Sequence, residues 1–247
     1  MTAPAVAVRE RPILMSGPMV QAILDGSKTQ TRRVAKVPHS NPLGVWEPAV
    51  FGGLAGGRTR NGEEVAEFPA LVHTRTGHAI ACPFEVGQRL WVRERWQFAD
   101  WTDDGHPFVR YAADNTVRLC EGAGKGESLV DTWAELSDPA NYAIDQKAAD
   151  RRWRPSIFMP RWASRLLLEI TAVRIERIQD ISESDARAGG VERHDDDGVT
   201  YYGPWLKGHA SAVFEYRRVW DSLNAKRGHG WDTNPWVWCI TFRKVQP

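Results

Sequence analysis

Residues Ser16 to Arg33 read SGPMVQAILDGSKTQTRR, and a change of period inside this stretch decides how the chain starts to fold. Ser16 is placed as an N-cap, Pro18 suits a first helical turn, and Met19/Ile23 and Val20/Leu24 form apolar i,i+4 pairs on one face. Gly26 stands where a C-terminal glycine ends a helix. From Lys28 the period becomes two, with Lys28, Gln30 and Arg32 on one side and Thr29, Thr31 and Arg33 on the other. The stretch therefore predicts a short helix, a glycine stop and a strand. Two readings of that strand stand side by side: a solvated basic face, the ordinary fate of surface charges, or a lysine presented with hydroxyls and arginines to an anionic or amide-bearing ligand.

The chain of 247 residues is long enough for one elaborated domain with a real core, and its formal charge of +1 announces no global affinity for nucleic acid. Any electrostatic footprint must be local. Arginines crowd Arg151 to Arg177, and acids crowd Asp180 to Asp197. The HDDDG run at 194–198 reads as a solvated loop, since no calcium-ligand spacing follows it. Three widely spaced cysteines, Cys82, Cys120 and Cys239, fit a reducing compartment and neither a disulfide framework nor a zinc site. No segment approaches the roughly 20 apolar residues of a membrane span, and MTAPAVAVRERP lacks the apolar core of a signal peptide. The expectation is a soluble, cytoplasmic protein with no membrane, metal or cofactor requirement. Twelve tryptophans are a heavy load for this length, to be divided between core and base-stacking platforms.

Along the chain, residues 1–10 read as a disordered tail and 11–247 as a single domain with irregular insertions at about 37–80 and 114–150. The glycine clusters FGGLAGGRTRNG (51–62) and GAGKG (122–126) lack the Lys-Ser/Thr ending, or the flanking strand and helix, of a phosphate loop. In EVGQRLWVRERW (85–96), Leu90, Val92 and Glu94 alternate with Arg89, Trp91, Arg93 and Arg95, which turns Glu94 inward. A carboxylate held inward is either ion-paired or a functional acid. Pro107–Tyr111, Leu166–Glu176 and Trp236–Phe242 are further strands. Ile178–Ala188 carries helix-start chemistry, with Ser182 three residues before Asp185, and Gly189 and Gly190 end it. A second helix at about 210–224 sets Val213, Tyr216, Val219, Trp220 and Leu223 on a core-facing stripe. Many short strands without regular βαβ alternation give an α+β class. Arg161, Trp162 and Arg165 together suit either a clamp on a phosphate and base or a brace for a loop.

GSKTQTRR at Gly26–Arg33, after a short helix, resembles the signature of the ASCH domain, a member of the PUA-like superfamily. Gly26, Lys28 and Arg33 match, and the GxKTxT core of the bacterial acetylcytidine amidohydrolases is reproduced at Gly26, Lys28, Thr29 and Thr31. The WRPSIxMPRWASR block at 153–165 and the NPWVW block at 234–238 are similar to those of larger phage-encoded ASCH-like proteins. The resemblance implies a PUA-like open β-barrel with short flanking helices, and a cleft for RNA or a modified nucleoside. It implies hydrolysis of an acyl amide on a nucleobase, with Lys28 as the activated group and Thr31 as its partner. Gly189 stands where the family's glutamate is expected, so Glu94 or Glu192 is the candidate proton shuttle. Thr29, Arg33, Arg93, Arg161, Trp162 and Arg165 are the expected substrate contacts. Two other functions stay open: a nonenzymatic phage module binding nucleic acid or a host protein, and a metal-independent ribonuclease.

Overall fold

The computed structural model describes residues 9–38, 42–53, 62, 64–101, 106–120, 152–204 and 209–246. In chain order the elements are β1 (Glu10–Leu14), α1 (Gly17–Leu24), β2 (Gln30–Val34), β3 (Trp46–Phe51), β4 (Phe68–His73), β5 (Ala79–Ala81), β6 (Arg89–Arg93) and β7 (Trp96–Trp101). There follow β8 (Pro107–Tyr111), β9 (Val117–Leu119), β10 (Leu167–Arg177), α2 (Glu183–Ala188), β11 (Arg193–Asp196), β12 (Val199–Tyr202), α3 (Ala212–Asn224) and β13 (Trp236–Val245). The architecture is mixed α+β, as expected. Among the described residues no sheet closes into a barrel, and no helix is long and apolar enough to cross a membrane.

The chain divides into two compact units, each discontinuous in sequence: Met1–Leu24 with Arg89–Leu168 and Lys244–Pro247, and Asp25–Gln88 with Glu169–Arg243.

In the first unit β1 pairs in parallel with β6, Ile13 opposite Val92. Strands β7, β8 and β9 form an antiparallel sheet with an irregularity between Phe98 and Asp100. Alternation on β8 buries Pro107, Val109 and Tyr111 and turns Arg110 outward. Val109 and Tyr111 join Trp96, Cys120, Met159 and Ala163 in one core, with Phe98 and Trp162 packed against it. Pro155 and Pro160 each precede a single 3-10 turn, Ser156–Phe158 and Arg161–Ala163. Helix α1 buries Val20, Ala22 and Ile23, and Gly26 beyond it has φ of +85°, the left-handed conformation that glycine adopts without strain.

In the second unit β13 lies between β10 and β2, and its pairing with β2 is antiparallel, with Ile240 opposite Thr31 and Cys239 opposite Arg32. The segment expected as an irregular insertion at 37–80 differs from that reading. It holds the antiparallel strands β3 and β4, with β5 at its end, over a core of Ala35, Trp46, Leu71, Cys82 and Trp238. A second core gathers Ile178, Ile181, Ala186, Tyr216, Trp220, Trp231 and Val237. Helix α3 carries the expected stripe only in part. Tyr216 and Trp220 are buried, Leu223 is exposed, and Glu215 is buried in an ion pair with Arg218. Glu10, expected in the tail, opens β1, whereas residues 1–8 lie outside the described residues, as do GAGKG, most of the 51–62 cluster and residues 121–150 of the second insertion.

Candidate active site around Lys28

Lys28 sits just beyond the Gly26 turn and forms an antiparallel bridge with Gly189, the residue that ends α2. The Thr29 amide donates to Ala188 O at 2.9 Å, and Phe242 donates to Thr29 O at 2.9 Å, so the segment is pinned on both sides. The side chain then folds inward. Lys28 is 3 % exposed, and its Nζ donates to Gln30 O at 2.7 Å and to Gly189 O at 2.6 Å. Among the described residues no carboxylate pairs with it. Burial, then the nearby guanidiniums of Arg33 and Arg32, lower its pKa to about 7, against a weaker opposing pull from Cys239. Near neutrality the amine therefore exists in both protonation states.

The geometry gives that equilibrium a direction. A neutral amine has two N–H bonds and one lone pair. With both N–H bonds spent on carbonyls, the lone pair occupies the remaining tetrahedral direction. On protonation the third N–H points the same way, so one position alternates between proton acceptor and proton donor.

Around the lysine the charges are strongly organised. Arg32, its side chain fully buried, donates from Nε to Glu176 Oε1 at 2.6 Å and pairs with Asp185 at 3.2 Å. Arg174 completes a four-member network with the same two acids, at 3.0 and 2.5 Å. Asp185 is delivered by α2, whose N-cap Ser182 accepts from the Asp185 amide. The reciprocal half of the capping box is not made because the Asp185 carboxylate is committed to the arginines. Both acids near Arg32 are thus neutralised by guanidinium, and neither serves Lys28. Burial pushes the Cys239 thiol up to about 11, and its Sγ donates to Gln30 Oε1 at 3.4 Å. Thr31 is buried on β2 opposite Ile240.

The other expected site residues fall into different settings. Glu94 belongs to the first unit, is 1 % exposed and accepts two bonds from Arg165, at 2.8 and 2.9 Å. Arg165 also binds Asp114 at 2.7 Å and lies over the Tyr111 ring at 4.1 Å. This is the ion-pair alternative for Glu94 and the bracing alternative for Arg165. Arg161 pairs with Glu10 at 2.7 Å, Trp162 packs edge-on to Trp96, and Arg93 lies over Trp91 while donating to Ile157 O. Glu192 has a side chain 66 % exposed and lies 3.3 Å from His194. Both oxygens of Glu94 are thus taken by Arg165, and Glu192 does not pair with Lys28. Two neighbours of the site were not read as site residues from the sequence: Asp185, read only as a capping residue, and Tyr216, read only as core. Comparison with family models, curated proteins and solved structures finds no match for this chain.

Proposed function

We propose that the Lys28 site hydrolyses an acyl amide carried on a nucleobase, within the PUA-like framework that the GxKTxT segment suggests. The observation that carries this reading is the Lys28 amine itself: buried, with an acidity matched to neutral pH, two N–H bonds fixed on carbonyls and, among the described residues, no paired carboxylate. A group whose pKa lies near the working pH serves as base and acid in one cycle. In the proposed step neutral Lys28 takes a proton from water as the oxygen bonds to the acyl carbon. The resulting ammonium returns that proton to the exocyclic nitrogen as the C–N bond breaks. The products are a carboxylic acid and the free nucleobase amine, and the lysine ends as it began. No separate carboxylate is needed for this proton circuit, which accommodates glycine at 189. In this reading Thr31 orients the water, and Thr29 and Arg33 contact the substrate.

The test is release of cytidine from N4-acetylcytidine, followed by mass spectrometry from pH 6 to 9. Turnover should rise through about pH 7 as the amine deprotonates, and Lys28→Ala should lower it by on the order of 10²–10⁴-fold. Turnover unchanged in Lys28→Ala, or absent from the wild-type chain, would sink the assignment. The ribonuclease and nucleic-acid-module readings draw less support. Arg161 and Arg165, the guanidiniums expected to hold phosphate, are bound to Glu10 and to Glu94 and Asp114.

A further inference from the structure

Position 189 is unusual for a steric reason. Gly189 has an ordinary helical φ of −68°, so the backbone does not demand glycine. The neighbours do. A Cβ added there would lie 2.7 Å from Tyr216 Cε2, 3.0 Å from Ala186 O and 3.1 Å from Tyr216 Cδ2. The ring occupies the volume that any side chain at 189 would need, a carboxylate included, and the Gly189 carbonyl is one of the two acceptors holding Lys28.

Tyr216 cannot easily give way. It sits in the first half of α3, whose N-terminus is fastened to α2 through Glu183, which accepts from the Ala212 amide at 2.8 Å and from Ser211 Oγ at 2.5 Å. The Arg32 guanidinium lies 5.7 Å from the ring centroid. Arg32 is itself tied to Asp185 on α2, the helix that Gly189 ends. The ring, the α2 terminus and the guanidinium are therefore packed against one another as one cluster. Burial also raises the Tyr216 phenol to about 12, so it remains protonated at neutral pH and adds no charge to the lysine's surroundings.

We infer that Tyr216 is a positioning residue for Lys28: its ring, not its hydroxyl, fixes the Gly189 peptide so that the carbonyl stays on the amine. The catalytic consequence rests on the function proposed above. The positioning itself does not, and its measurement needs no substrate.

The full chain, selectively labelled with 15N-lysine, is titrated by NMR while the Lys28 ε-nitrogen is followed, with Lys28→Arg identifying the signal. The wild-type midpoint is expected at about 7. Tyr216→Phe keeps the ring and loses only the phenol's bond with Arg32, so its midpoint should stay closer to wild type than that of Gly189→Ala. Gly189→Ala forces the peptide and ring apart while Arg32 and Arg33 remain, so the ammonium loses a fixed acceptor. Its midpoint should fall by about one unit, tenfold in proton affinity. The double variant Gly189→Ala/Tyr216→Ala gives the new methyl the space the ring vacates and should return the midpoint toward wild type. Should that variant not fold, as judged by circular dichroism, Tyr216→Leu, which lacks the Cε2 atom, replaces Tyr216→Ala. An unchanged midpoint in Gly189→Ala, a shift in Tyr216→Phe equal to that of Gly189→Ala, or no restoration in the double variant overturns the inference. If these titrations behave as expected but N4-acetylcytidine is not cleaved, the substrate assignment fails and the positioning role stands.

Discussion

Replacing Arg165 with methionine should be among the most damaging single changes in the first unit. Arg165 holds both oxygens of Glu94, at 2.8 and 2.9 Å, and the side chains of the pair are 9 % and 2 % exposed. Methionine keeps most of the aliphatic length but removes the guanidinium that lies over Tyr111, and it leaves a buried carboxylate without a counter-charge. Stranding one partner of a buried pair costs about 3–5 kcal/mol. At about 2–4 °C per kcal/mol for a chain of this size, the melting temperature should drop by about 6–20 °C at pH 8. The loss should depend on pH in a defined direction. Burial already holds Glu94 above the ordinary glutamate range, against the opposing pull of Arg165. Without the arginine that upward push is unopposed, so the folded state binds the proton more tightly than the unfolded state. Stability is then greatest below the ordinary glutamate pKa of about 4.3 and falls as pH rises through the raised folded value. Thermal melts of Arg165→Met at pH 5 and pH 8 should show the smaller deficit at pH 5, and Glu94→Gln added to Arg165→Met should recover much of the loss at pH 8. Wild-type melting at pH 8, or a deficit independent of pH, would refute the account.

Three other perturbations have expected outcomes. Lys28 carries the opposite linkage. Its folded pKa of about 7 lies below the ordinary lysine value of 10.5, so the unfolded chain binds the proton more tightly between them. Its drag on stability is full at and below about pH 7 and fades toward pH 10.5; urea midpoints of Lys28→Met against wild type should show a gain near pH 7 that shrinks by pH 9.5. Gly203→Ala and Gly26→Ala both oppose positive φ, +99° and +85°, but a Cβ at 203 would lie 2.7 Å from Glu215 Cδ whereas nothing stands within 4 Å at 26. Denaturant unfolding should therefore show about 1–2 kcal/mol lost for Gly26→Ala and clearly more for Gly203→Ala. Glu183→Ala removes the acceptor at the α3 N-terminus, which should cost about 1 kcal/mol near neutral pH. Although burial works against it, hydrogen bonds from Ser211 and the Ala212 amide keep Glu183 below its usual range. The gap to wild type in thermal melts should therefore close as pH falls through that range.

What the sequence made legible were the elements whose pattern is local. The alternation through Leu90 and Val92, the strand from Trp236, the helix-start chemistry at Ser182 and the break at Gly26 all mark structure that neighbouring residues determine. Burial of Glu94 followed from the same alternation. Its partner did not, because Arg165 lies far along the chain and nothing near either residue names the other. The strands β3 and β4 escaped notice because Pro48 and Pro69 interrupt the apolar pattern that marks a strand. Around Lys28, the lysine and Thr31 could be singled out from the GxKTxT spacing. Asp185 and Tyr216 could not, since a capping aspartate and a buried helical tyrosine look alike whether or not they border a site. Glycine at 189 was visible only as the residue standing where the resemblance to the ASCH signature led one to expect a glutamate. Its cause, a ring from another helix, is a fact of packing.

The interleaving of the two units bears on how the protein is made and handled. The first unit draws on three separate stretches, beginning before Leu24 and ending after Lys244, with the second threaded between them. During synthesis β1 emerges well before its partner β6, and Lys244, whose Nζ donates to Leu24 O at 3.4 Å, emerges only after the last stretch of the second unit. The first unit therefore cannot be completed on the ribosome ahead of the second. No single break in the chain separates the two, so limited proteolysis should yield nicked, associated fragments more readily than free domains, and expression of either half alone would expose strands that lack their partners.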